Sequence, residues 1–108
     1  MKDEYLESLL SLIKSKKNDD PEISYTAFLQ HKGLNEILSK ISEETEETII
    51  AAKTEGNEQL VHEIADLWFH CLVLLSQKNL TVDDITNELK NRQGTSGIEE
   101  KNNRVKKR

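Results

Sequence analysis

Residues 34–75 read LNEILSKISEETEETIIAAKTEGNEQLVHEIADLWFHCLVLL. In the first half of this stretch Leu34, Ile37, Leu38, Ile41, Thr48, Ile49 and Ala52 keep one face of a helix, which the turn Thr54-Glu55-Gly56-Asn57 ends. In the second half Leu60, Val61, Ile64, Leu67, Trp68, Cys71, Leu72, Leu74 and Leu75 define a helix that is apolar around most of its circumference. A helix of that kind must be covered on several sides. The two segments therefore predict a helical hairpin about Gly56, and the alternation expected of strands is absent.

Outward from the hairpin the pattern stays helical. Leu6, Leu9, Leu10 and Ile13 mark an amphipathic first helix with Asp3 as its cap, ending in the polar run from Lys14 to Asp20 before Pro21, the only proline. A linker or turn is expected after it. Thr81, with Asp84 three residues on, predicts a capped short helix through Ile85 and Leu89. From Gly94 the chain is too polar to pack. The reading is one all-α domain over residues 1–93 and a polar, basic tail over 94–108.

A chain of 108 residues leaves much of its surface uncovered when folded alone, so self-association is expected. The hairpin's second helix, apolar on more sides than one small chain can cover, points to a helical bundle completed by dimerisation. Cys71, the single cysteine, excludes an internal disulfide and is expected to pack in the core. The start shows no basic stretch followed by a long apolar one, and no run approaches the ~20 residues that cross a bilayer, so a cytoplasmic protein without membrane partners is expected. The net charge of −5 argues against general nucleic-acid binding, and the basic run Arg104-Val105-Lys106-Lys107-Arg108 reads as a solvated terminus.

The chemistry sits on the hairpin, in Glu43-Glu44-Thr45-Glu46-Glu47 and Glu63-Ile64-Ala65-Asp66. Residues three apart share a helical face, so Glu44 stands over Glu47 and Glu63 over Asp66. The first pair lies about ten residues before the turn and the second about eight after it, which at ~1.5 Å per residue sets them at heights differing by roughly 3 Å. Four carboxylates can converge.

Continuing the heptad of Leu34, Ile37, Ile41 and Thr48 puts Glu44 where an apolar residue belongs. A carboxylate there carries a desolvation cost of several kcal/mol and repels its neighbours, so a cation should compensate. No basic side chain occupies a matching position on the second helix of the hairpin, where Glu63, Asp66 and His70 form the only polar stripe. Clustered carboxylate oxygens suit Mg²⁺ or Mn²⁺, and Mg²⁺ recruits substrate phosphates to complete its octahedron. Glu46, Glu55 and Glu58 read as solvated.

Competing motifs fail. His62-Glu63-Ile64-Ala65-Asp66 has an aspartate where the zinc-peptidase motif requires its second histidine. Neither His62 nor His70 has the glutamate three residues earlier that a di-iron bundle needs. No phosphate-binding P-loop occurs. His70 reads as a hydrogen-bonded core or interface residue.

From Ser24 to Leu75 the chain resembles the phosphoribosyl-ATP pyrophosphatase family, within the all-α nucleotide pyrophosphohydrolase superfamily. The resemblance is carried by Ser24-Tyr25-Thr26, Lys32-Gly33, Lys40-Ile41-Ser42-Glu43-Glu44 with Glu47-Thr48, Glu63-Ile64-Ala65-Asp66-Leu67, His70 and Leu72-Val73-Leu74-Leu75. Ser96-Gly97-Ile98-Glu99-Glu100-Lys101 is similar to the family's ending. Ser42 departs from the pattern, which has glycine there, but keeps a small residue.

The resemblance implies a four-helix-bundle-type fold and hydrolysis of phosphoribosyl-ATP to phosphoribosyl-AMP and pyrophosphate, the second step of histidine biosynthesis. It implies Mg²⁺ on Glu44, Glu47, Glu63 and Asp66, with Glu43 or Glu47 orienting the attacking water. Ser24, Tyr25, Lys32 and Lys40 are the nearest hydroxyl and cationic candidates for substrate contact. Nothing here has the length of the cyclohydrolase often fused to the family, so a stand-alone enzyme is expected. Two alternatives remain: a house-cleaning pyrophosphatase for (deoxy)nucleoside triphosphates using the same carboxylates, and a non-enzymatic helical dimerisation module whose acidic stripe meets a basic partner.

Overall fold

A computed structural model describes residues 4–93 of the chain. Asp3, read as the first helix's cap, and the tail with its Ser96–Lys101 segment lie outside the described residues. Five helices follow one another: α1 (Glu4–Ser15), α2 (Tyr25–Lys32), α3 (Leu34–Thr54), α4 (Asn57–Gln77) and α5 (Val82–Gln93). The all-α reading holds, and no strand occurs among the described residues.

The hairpin of residues 34–75 is the frame. Its helices are joined by Glu55 and Gly56 alone: the Glu55 N–H closes α3 on the Ala51 carbonyl at 3.0 Å, and the Leu60 N–H opens α4 on the Gly56 carbonyl at 3.1 Å. So short a connection forces the helices antiparallel and side by side. Leu10 and Ile13 of α1, Leu29 of α2, Ile37 of α3, Leu72 and Val73 of α4 and Val82 of α5 form the buried core against the far end of the hairpin.

α2 lies where a linker was expected, and its composition explains the difference. Four of its eight residues are buried, but two of them, Thr26 and Gln30, are polar, so no apolar period shows. Gln30 binds three helices together. Its amide nitrogen donates to the Ile13 carbonyl at 3.1 Å and the Thr26 carbonyl at 3.3 Å, and its oxygen accepts from Ser76 Oγ of α4 at 3.0 Å. The helix starts on Ser24, whose hydroxyl oxygen accepts from the Ala27 N–H at 3.1 Å, and ends at Gly33, with φ of +92°. That left-handed φ suits glycine, and it turns α2 directly into α3.

After α4 the chain reverses through Asn79, at φ of +59°, while the Leu80 N–H caps the Leu75 carbonyl at 2.9 Å. α5 opens on the capping box foreseen in the sequence: the Thr81 N–H donates to Asp84 Oδ2 at 2.8 Å and the Asp84 N–H to Thr81 Oγ1 at 3.1 Å.

Cys71 corrects its expectation: it is exposed, not in the core. α4 is apolar nearly all round, and α1, α2 and α3 cover only part of it. On its open side Cys71 and Trp68, the latter 56% exposed, join Leu6, Leu75, Ile85 and Leu89 in lining an apolar groove of about 350 Å³.

Candidate metal and substrate site

Opposite the packed end, α3 and α4 bring carboxylates face to face. Glu44 and Glu47 of α3 and Glu63 of α4 each offer an oxygen, and these oxygens all lie within 4.8 Å of one another. Glu44 and Glu63 are each only 9% exposed. Glu44 Oε2 is buried without a hydrogen-bond partner among the described residues. Burial first, then the charges of Glu47, Asp66 and Glu63, push the Glu44 carboxyl up from 4.5 to about 7. An acid held that far from its ordinary range by burial and by neighbouring carboxylates calls for positive charge.

Asp66 stands one turn further along α4 and belongs to an adjoining group with Glu63 and His62, whose ligand atoms also lie within 4.8 Å of one another. Its Oδ2 is 3.3 Å from His62 Nε2. The four carboxylates thus form two groups that share Glu63, and His62, weighed in the sequence only as part of a zinc motif, supplies a neighbouring nitrogen. Glu43 is outside both groups, more than half exposed and paired with Lys40 Nζ at 3.6 Å.

The donor set fits a hard divalent cation. Every candidate ligand in the group of Glu44, Glu47 and Glu63 is a carboxylate oxygen, and Glu44 Oε2 is buried and unpartnered among the described residues. A cation held by Glu44, Glu47, Glu63 and Asp66 would relieve both the desolvation and the mutual repulsion.

Above the cluster, α2 presents Tyr25. Its hydroxyl lies 3.0 Å from His70 Nε2, and His70 Nδ1 lies 2.7 Å from the Asp66 backbone carbonyl oxygen. His70 is 4% exposed, edge-on to the rings of Tyr25 and Phe69, which makes it the hydrogen-bonded core residue foreseen in the sequence. The Tyr25 phenol is pushed up by burial and drawn down by Lys40, with the charge of Glu44 next in effect, so it sits at the rim of the carboxylate site. Ser24 serves as the α2 cap, and Lys32 lies over the Phe28 ring at 5.9 Å.

This arrangement has relatives. The family model described as phosphoribosyl-ATP pyrophosphohydrolase matches residues 6–93, nearly all of the helical domain. The chain belongs to that family. It is 50% identical to the phosphoribosyl-ATP pyrophosphatase of Hydrogenovibrio crunogenus, across 98% of this chain and 97% of the relative. The enzyme of the same name from Methylococcus capsulatus is also 50% identical, covering 92% and 94% of the two chains, and that of Vesicomyosocius okutanii is 49% identical, covering 94% and 97%.

In this member of the family, one site residue escaped the sequence reading. Gln59 donates from Nε2 to Glu63 Oε2 at 2.8 Å. The signal was present, since Gln59 precedes Glu63 by four residues and so shares its face, but an isolated glutamine among acidic residues carries no sign of its partner. His62 was weighed only as half of a zinc motif, and its contact with Asp66 follows from the same four-residue spacing.

Proposed function

We propose that the chain hydrolyses phosphoribosyl-ATP to phosphoribosyl-AMP and pyrophosphate, the second histidine-biosynthetic step, as a Mg²⁺-dependent cytoplasmic enzyme, with Mn²⁺ an acceptable substitute. The observation that carries this reading is the unpartnered Glu44 oxygen, buried beside Glu47 and Glu63, in a family named for that hydrolysis. No described helix is long and apolar enough to cross a membrane.

Glu44, Glu47, Glu63 and Asp66 are the residues that would hold the metal. A bound Mg²⁺ would supply there the positive charge that offsets charge developing on the phosphates and lowers the pKa of water. The chain's own part is positioning. Glu44 and Glu63 are nearly buried, and Gln59 holds Glu63 by a hydrogen bond. Glu47, half-buried in the same group, is assigned to orient the water. Glu43 holds Lys40, which lies near Tyr25 as the cation for a phosphate oxygen. The Ser24 hydroxyl accepts from the Ala27 N–H and so keeps its own proton free to donate.

A homodimer completes the reading. Trp68, Ile85 and Leu89 are about half exposed on the open side of α4 and α5, so covering what remains of each is worth roughly 1 kcal/mol. Pyrophosphate release measured with phosphoribosyl-ATP beside ATP, dCTP and dUTP tests the assignment. Preference for phosphoribosyl-ATP is expected; preference for a simple triphosphate would move the chain to the house-cleaning reading, and no release with Mg²⁺ would favour a dimerisation module.

A further inference from the structure

We propose that His70 sets the hydrogen-bond polarity of Tyr25, so that the Tyr25 oxygen faces the substrate as an acceptor and recognises an N–H or O–H donor of the nucleotide, not a phosphate oxygen. The proposal rests on the reading of this site as a nucleotide pyrophosphohydrolase.

The chain of bonds has one consistent direction. A backbone carbonyl oxygen can only accept, so His70 Nδ1, 2.7 Å from the Asp66 carbonyl, carries the proton. In the neutral imidazole the other nitrogen is then bare, and the Tyr25 hydroxyl, 3.0 Å away, donates to it. The opposite neutral tautomer would set a bare nitrogen against a carbonyl oxygen at 2.7 Å. With its proton committed to a residue only 4% exposed, Tyr25 has lone pairs left for the site.

The geometry holds this direction in place. His70 stands edge-on to both Tyr25, at 5.9 Å and 80°, and Phe69, at 5.4 Å and 90°, and these two rings stack on each other at 6.5 Å. Tyr25 is the first residue of α2, anchored by the Ser24 cap, and is 47% exposed, with Lys40 and Glu44 close enough to act on its phenol. A phosphate oxygen placed against its oxygen would meet acceptor with acceptor. Lys40 and Ser24 retain protons for phosphate, which leaves Tyr25 to read the sugar hydroxyls or the base N–H groups. His70 is thus a positioning residue, and it also joins substrate recognition on α2 to the backbone of Asp66 on α4.

Long-range ¹⁵N–¹H correlation spectra of the wild-type chain read the tautomer directly. His70 should show a protonated Nδ1 and an unprotonated Nε2; the reverse tautomer overturns the proposal whether or not the chain hydrolyses phosphoribosyl-ATP. In kinetics, Tyr25→Phe should raise KM about fivefold to tenfold with kcat little changed, the loss of one neutral hydrogen bond. His70→Phe should match it, and His70→Gln, whose amide oxygen can accept from Tyr25, should recover most of the loss if the role is polarity. A folded His70→Gln no better than His70→Phe would contradict it. The Tyr25→Phe penalty should vanish with a deoxyribose analogue if the donor is a sugar hydroxyl, or with a deaminated base if it is an amino group. A penalty undiminished with both analogues overturns the assigned recognition.

Discussion

Gln59 and Glu63, one turn apart on α4, are joined by a 2.8 Å hydrogen bond from the glutamine amide to Glu63 Oε2. This bond orients the carboxylate that both acidic groups share, so it bears on any cation the site would hold. Gln59→Ala should weaken Mg²⁺ binding about tenfold, the lower end of what loss of a ligand-orienting partner costs. Calorimetric titration of the metal checks this, and unchanged affinity would mean that packing alone orients Glu63.

Glu44 gives the metal-free chain a pH dependence of definite sign. Its carboxyl is raised from 4.5 to about 7 in the folded state, so between those values the folded chain binds a proton that the unfolded chain has lost. Stability therefore falls as pH rises through that window, by up to about 3 kcal/mol. Urea melts in a chelator at about pH 5 and about pH 8 should show the decline. Glu44→Gln should remove it, and Mg²⁺ should restore stability at the higher pH. A metal-free chain that gains stability across the window through Glu44 would refute the burial argument.

Gln30 ties α1, α2 and α4 through three hydrogen bonds in a buried setting. Gln30→Leu keeps the volume roughly constant but strands the Ser76 hydroxyl and leaves the Ile13 carbonyl only the Lys16 N–H, at 3.2 Å, at a cost of about 1–2 kcal/mol. Ser76→Ala in the same background should cost less than in the wild type, because its partner is already gone. Urea denaturation of the two single variants and the double variant measures this.

We propose that the apolar groove along α4 and α5 carries a homodimer. Sedimentation equilibrium should give twice the mass of the 12.4 kDa chain. Leu89→Glu, at a position 55% exposed in one chain, should yield a folded monomer. A wild type of single-chain mass at every concentration would contradict the proposed homodimer.

These residues also mark how far the sequence could be read. The hairpin was legible because helical period and turn chemistry agree over residues 34–75, and Glu44 was legible as a carboxylate out of place in an apolar stripe. α2 was not, because Thr26 and Gln30 are buried for their hydrogen bonds and leave no apolar period. Cys71 was misread because an all-round apolar helix does not reveal which side its own chain covers. Gln59 and His62 act through side-chain contacts to Glu63 and Asp66 that spacing allows but does not single out.

The central claim is that carboxylates facing each other across the α3–α4 hairpin hold the Mg²⁺ that the hydrolysis uses. The most direct measurement is Mg²⁺-dependent pyrophosphate release from phosphoribosyl-ATP by the wild type, Glu44→Gln and Asp66→Asn, with helical content followed by circular dichroism. Release by the wild type and its abolition in both variants, with helicity intact, is the expected result; release retained by both folded variants would contradict the account.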